Sequence, residues 1–191
     1  MKRAFLGILL LASVSCGDMV RQGTASSFLI VQSLEGASGG DPGDFTGTVR
    51  SDVLTENSIF NDLGRVTFQL GLKDPGPPAS PTTPSPNNFI TVDRYHVEFV
   101  RSDGRNVPGV DVPYAFDSAF TITVGDSPTT AGFTLVRHQA KAEAPLAALQ
   151  QSPLIISTIA RVTFYGHDQT GREVFVVAQI GVSFGDFADP D

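Results

Sequence analysis

The chain has 191 residues, with 13 basic and 20 acidic side chains, 14 Phe, 19 Gly, 13 Pro and one Cys. This acidic balance excludes a nucleic-acid partner, which needs a basic face to replace phosphate counterions. It also argues against peripheral attraction to anionic headgroups. A single cysteine excludes an internal disulfide framework.

Lys2 and Arg3 precede the uncharged run Ala4–Val14. Eleven apolar or small residues fall well short of the roughly 20 that a membrane span needs, and they fit the hydrophobic region of a secretory leader. Residues 1–15 therefore read as a signal peptide cut before Cys16. Val14-Ser15-Cys16 resembles the lipobox of bacterial lipoproteins, although Ser13 stands where that family usually has Leu. The resemblance implies lipidation of Cys16, with two or more acyl chains holding the exported protein on a membrane of the cell envelope. A free thiol after ordinary signal cleavage is the alternative. Loss of the leader removes Lys2 and Arg3, so 11 basic residues face 20 acidic ones and the mature net charge is about −9. Residues 16–26 are small and polar and predict a tether; 27–191 form one domain.

Phe28–Leu34 predicts the first strand, and Thr46–Leu54 a second within the Gly-, Asp- and Ser-rich stretch 36–58. Arg65–Leu72 alternates Val66, Phe68, Leu70 and Leu72 with Thr67, Gln69 and Gly71, the period of a half-buried strand. The stretch 74–86 carries six prolines and predicts an extended loop, since proline cannot donate to a ladder. Phe89–Arg101 is a strand with Tyr95, Val97 and Phe99 on one face and Arg94, His96 and Glu98 on the other. Phe120, Ile122 and Val124 alternate, Gly125-Asp-Ser-Pro128 turns the chain, and Phe133–His138 follows. The segment 143–150, with Pro145 near its start, predicts one short helix.

The last forty residues are the most regular. Every even position from Val174 to Phe184 is apolar, and a strand over Leu154–Tyr165 precedes it. Asp168-Gln-Thr-Gly171 has the pattern of a type I turn closed by a glycine bulge. That turn pairs residue 168 with 172, so Val176 faces Phe164, Ala178 faces Val162 and Ile180 faces Ala160. A one-residue slip would set Ala178 against Arg161. Seven or eight short strands with one helix predict an all-β fold, a single antiparallel β-sandwich. Its architecture resembles immunoglobulin and fibronectin-type domains.

Gly125-Asp126-Ser127 is similar to the nucleophile segment of trypsin-like proteases, but Pro128 stands where that family has glycine, and a turn explains the tetrapeptide. His96, His138 and His167 lack metal-ligand spacing. Asp41 and Asp44 around a Pro-Gly turn, with Asp186 and Asp189 near the C-terminus, are weak calcium candidates; no cofactor is implied. The connection 103–114 carries Arg105, Asp111 and Tyr114 among turn residues, a candidate partner-binding loop. An Arg105–Asp111 salt bridge that pins the loop is the competing account. With no Trp and three Tyr, an aromatic sugar platform is not expected.

The lipobox-like start, Asn87-Asn-Phe-Ile90, Asp103-Gly-Arg-Asn106 with Val110-Asp-Val-Pro-Tyr114, and Phe164–Gly171 together resemble small bacterial envelope lipoproteins. The sequence thus predicts a non-enzymatic envelope lipoprotein that binds another envelope protein or plays a structural role. A small-ligand, calcium or glycan-binding module is the alternative.

Overall fold

A computed structural model describes residues 23–187. The architecture is built outward from the C-terminal hairpin. Strands β7 (Ile156–Asp168) and β8 (Glu173–Gly185) pair antiparallel with Phe164 opposite Val176, Val162 opposite Ala178 and Ala160 opposite Ile180. The turn closes as its residues require. Asp168 N–H donates to Arg172 O at 2.9 Å, Gly171 N–H donates to Asp168 O at 2.9 Å, and Gly171 has φ +80°. A residue with a Cβ is strained at that φ, so glycine is the natural occupant.

Strand β4 (Ile90–Val100) extends the sheet from β7, and β5 (Phe116–Val124) extends it from β4. The ladders of β4 shift between Val92 and Arg94, which puts Asp93 and Arg94 together on the solvent side and keeps Tyr95, Val97 and Phe99 inward. At the other edge β2 (Thr48–Asp52) joins β8, giving the order β2-β8-β7-β4-β5. The second sheet is β1-β3-β6, from β1 (Ser27–Ala37), β3 (Asp62–Leu72) and β6 (Thr129–Val136).

Two expectations need correction. Pairing is not antiparallel throughout, because β2 runs parallel to β8. The stretch 38–47 leads the chain from β1 in one sheet to β2 in the other, and β2 then runs in the direction of β8. The expected helix over 143–150 is not formed as such: the α-helix lies before that stretch, and only a 3-10 turn falls within it. A five-residue α1 (His138–Ala142) precedes a 3-10 turn at Leu146–Leu149. Pro145 disfavours helical backbone at the residue before it, so α1 ends short of it, and the leucines beyond it make only a 3-10 turn. The pattern survives in its purpose, since Leu146 and Leu149 are buried in the core.

The two sheets close on a phenylalanine cluster. The ring of Phe164 meets Phe68 at 5.0 Å and Phe133 at 5.4 Å, both edge-on, and Tyr95 meets Phe133 at 5.1 Å. Such pairs add about 0.5–1.5 kcal/mol each beyond their area burial. Gly64 makes room for this: a Cβ there would lie 2.3 Å from the Phe133 ring. The Tyr95 hydroxyl is satisfied by accepting from Thr134 N–H at 3.2 Å.

A candidate interaction pole

The strands run between two ends of the sandwich. At the entry pole lie the start of β1, the end of β3, the start of β4 and the 168–171 turn. Residues Gly23–Ser26 are stitched there, with Lys73 Nζ donating to Gly23 O at 2.7 Å, Lys73 N–H to Ser26 O at 3.0 Å and Asn88 Nδ2 to Ser26 Oγ at 2.7 Å. The proline-rich loop 74–86 caps this end. At the opposite pole the chain crosses through 38–47, 53–61, 101–115 and 137–155.

The loop containing Arg105, Asp111 and Tyr114 belongs to that far pole. The Arg105–Asp111 bridge is overturned, because local backbone geometry supplies closer partners. Arg105 Nε sits 3.2 Å from Asp103 Oδ2, and Arg101 Nε donates to Asp103 Oδ1 at 3.1 Å. The side chain of Arg101, with the backbone N–H of Arg105, holds the Asp103 carboxyl well below the usual carboxylate range. Asp111 instead accepts from Val107 N–H at 3.1 Å, while Val107 O accepts from Asp111 N–H at 2.8 Å. Each group thus fixes the shape of the loop, and buried Val112 anchors it to the core.

What the shaped loop offers to solvent is apolar. Val107, Val110 (66 % exposed) and Tyr114 (53 % exposed) project from it, and Phe60, Leu154 and Ile155 are exposed on the neighbouring loops of the same pole. Tyr114 lies across Gly109, whose φ is +75°; a Cβ there would meet the phenol oxygen at 2.3 Å. Beside Tyr114 a hollow of about 220 Å³ is lined by Arg137, Gln139 and Glu143.

Beneath the pole is a polar node that composition and spacing could not reveal. Asp62 and Lys141 are 79 residues apart and both fully buried, with Lys141 Nζ 2.6 Å from Asp62 Oδ1. The same Nζ donates to Asp52 O at 2.7 Å, and Gly39 N–H donates to Asp62 Oδ1 at 2.8 Å. Burial pushes the Asp62 carboxyl up from its ordinary value, against the pull of the Lys141 charge. One node therefore ties β2, β3, α1 and the 38–47 loop together. In sequence, Lys141 falls between the strand expected over Phe133–His138 and the helix expected over 143–150, with nothing to mark it.

The calcium candidates do not converge. Asp41 borders a hollow of about 260 Å³ that Arg50 also lines, with its guanidinium 4.4 Å from the centre of the Phe187 ring. Asp44 N–H donates to Asp41 O, and Asp186 accepts from Gln151 N–H. Among the described residues no group of three His, Cys, Asp or Glu is placed to hold a metal. Cys16 and Asp189 lie outside the described residues.

A second exposed feature lies on the solvent face of the five-stranded sheet. Tyr165 has the Arg94 guanidinium 4.2 Å over its ring and Phe175 at 6.5 Å on a tilted plane. Asp93 and His167, 3.2 Å apart, share with Arg94, Tyr165 and Glu173 a hollow of about 380 Å³. Counting aromatic residues missed this grouping, because cross-strand register brings these side chains together. His96 pairs with Asp117 at 3.2 Å on the same face.

Compared with known proteins, the chain matches no family model, no curated protein and no solved structure. Among the described residues no helix is long and apolar enough to cross a membrane.

Proposed function

We propose that this chain is a non-enzymatic module of the bacterial cell envelope, exported and lipid-anchored at Cys16, that binds another envelope protein through its far pole. The observation that carries this reading is the opposition of the two poles. The chain enters at one end, stitched down by Lys73 and Asn88, while six large apolar side chains are exposed on loops at the other. Eleven-residue β4 separates the ends by roughly 35 Å at the usual rise per strand residue. A tether at the entry pole would leave the far pole facing away from the membrane. Exposed apolar side chains grouped on internally braced loops suit a protein partner, because a rigid loop loses little entropy on binding.

The fold reading that goes with this is an immunoglobulin-like sandwich. In its favour, β1, β3 and β6 follow the A-B-E order of one sheet, and β8, β7, β4 and β5 the G-F-C-C′ order of the other.

The test is affinity capture of the full-length tagged protein from native membranes, with intact mass of the bait. A lipidated bait with a reproducible protein partner is expected, and Val110→Ser with Tyr114→Ser should lose that partner while melting unchanged. Retention of the partner by the double variant would refute the far-pole assignment. Unchanged bait mass and fractionation in Cys16→Ala, or with globomycin, would refute the anchor.

The alternative, a glycan or small-ligand module, is favoured by the Arg94–Tyr165–Phe175 grouping beside Asp93 and His167. Its mark would be glycan binding lost in Tyr165→Ser and untouched by changes at Tyr114.

A further inference from the structure

We propose that the side chains of Lys141 and Asp62 condense within the folded chain to an amide that cross-links α1 to β3, releasing one water. The proposal stands on the placement of five groups and does not depend on the far-pole binding role. Both side chains are fully buried, and their reacting groups are already in contact at 2.6 Å. A second acceptor, Asp52 O at 2.7 Å, fixes the direction of the amine. Gly39 N–H donates to Asp62 Oδ1 at 2.8 Å, which is where negative charge develops when a nucleophile adds to Cγ. The other oxygen, Asp62 Oδ2, is buried without a well-aligned hydrogen-bond donor, and the buried Ser51 hydroxyl lies close enough to the carboxyl to favour its ionised form.

The chemistry balances without a co-reactant. Proton transfer from the ammonium to the carboxylate gives a neutral amine and a neutral acid, and burial favours the neutral acid at Asp62. The Nζ lone pair adds to Cγ, with charge on Oδ1 held by the Gly39 N–H. The Cγ–Oδ2 bond then breaks. Oδ2 departs as water with its own proton and one released by the nitrogen, and the Ser51 hydroxyl is the buried group suited to relay the latter. The product is a secondary amide in place of two charges taken out of water, a costly arrangement in itself. It also closes a long loop, which restricts the unfolded chain as a disulfide does. With one cysteine, the chain has no internal disulfide to do the same.

The test is the intact mass of the purified full chain, followed by tryptic mapping. Expected is a mass lower by one water, with the loss located in a branched peptide joining residues 51–65 to 138–161 through Lys141. Lys141→Met and Asp62→Ala should each show the full mass, and after boiling in detergent the wild type should migrate faster than either. A wild-type chain at full mass would overturn the proposal, and needs no variant to fold. So would a water loss confined to the linear 51–65 peptide, since that marks an aspartimide at Asp62. A water loss that persists in either variant would overturn it as well.

Discussion

The β7–β8 hairpin and the far pole are organised by opposite means. In the hairpin every decisive contact is short in sequence. A four-residue turn sets the register, and the period-two pattern then delivers Phe164, Val162 and Ala160 to the core. At the far pole the decisive contacts join residues that sequence separates widely: Lys141 with Asp62 and Asp52, Gly39 with Asp62, His138 with Asn61. Local rules can build a strand pair, but a set of irregular crossings needs buried polar groups to choose one arrangement. The sandwich therefore has a self-registering side and an end that is pinned.

That contrast can be broken most directly at the pin. Lys141→Ala would leave the Asp62 carboxyl in a dry site with neither its cation nor the proposed cross-link, and at least about 3–5 kcal/mol of stability should go with it. Chemical denaturation should read this as a lower midpoint, and hydrogen exchange should show amides of 38–61 and 137–155 opening first. Opening of the hairpin before those loops would refute the division.

On the hairpin side, Asp168 is the sharper probe. Its burial opposes ionisation, but hydrogen bonds from Thr170 Oγ1 at 2.7 Å, Thr170 N–H at 2.9 Å and Arg172 N–H at 3.0 Å outweigh that and hold the carboxyl below the usual range. A carboxyl depressed in the folded state contributes stability above its unfolded value of about 3.9, and loses it as pH falls through the lower folded value. Asp168→Ala should cost about 1–3 kcal/mol at neutral pH, and the deficit should shrink in acid. A deficit that stays constant from neutral pH to the acid limb would count against the carboxylate account.

Gly171→Val should cost about 1–2 kcal/mol through the left-handed backbone alone, since a Cβ there meets no atom within 4 Å. Gly171→Asn should lose less, because Asn tolerates that region; equal melts for Val and Asn would point to a turn that has changed type. Smallest of all is the effect expected at the exposed loop tip. Val110→Ser with Tyr114→Ser should leave stability within about 0.5 kcal/mol per substitution, as judged by thermal melting, so that any change in partner capture reports on binding.

Much of the fold was legible because strands announce themselves locally. The inward residues of β3, β4 and β8, the proline-rich loop and the Asp168–Gly171 turn all follow from alternation and turn chemistry. The parallel placement of β2 was not legible, because a short strand in a Gly- and Asp-rich stretch does not record which edge it will join. Within the expected 143–150 helix only a 3-10 turn forms, with the α-helix lying before it at His138–Ala142, although Leu146 and Leu149 of that stretch do reach the core. In the candidate loop the exposed Tyr114 was found from sequence. The partner of Arg105 was not, since Asp103 and Asp111 are equally acidic in sequence and only the turn brings Asp103 within reach.

By itself the sequence determined the strands, the hairpin register and the acidic, disulfide-free character of the chain, because these depend on neighbours in the chain and on composition. Only the tertiary structure decided that Lys141 would meet Asp62, that Tyr165 would lie under Arg94, and that apolar loop residues would collect at the pole opposite the entry. Those are encounters across sheets and crossings, where burial and cross-strand register, not sequence spacing, bring side chains together.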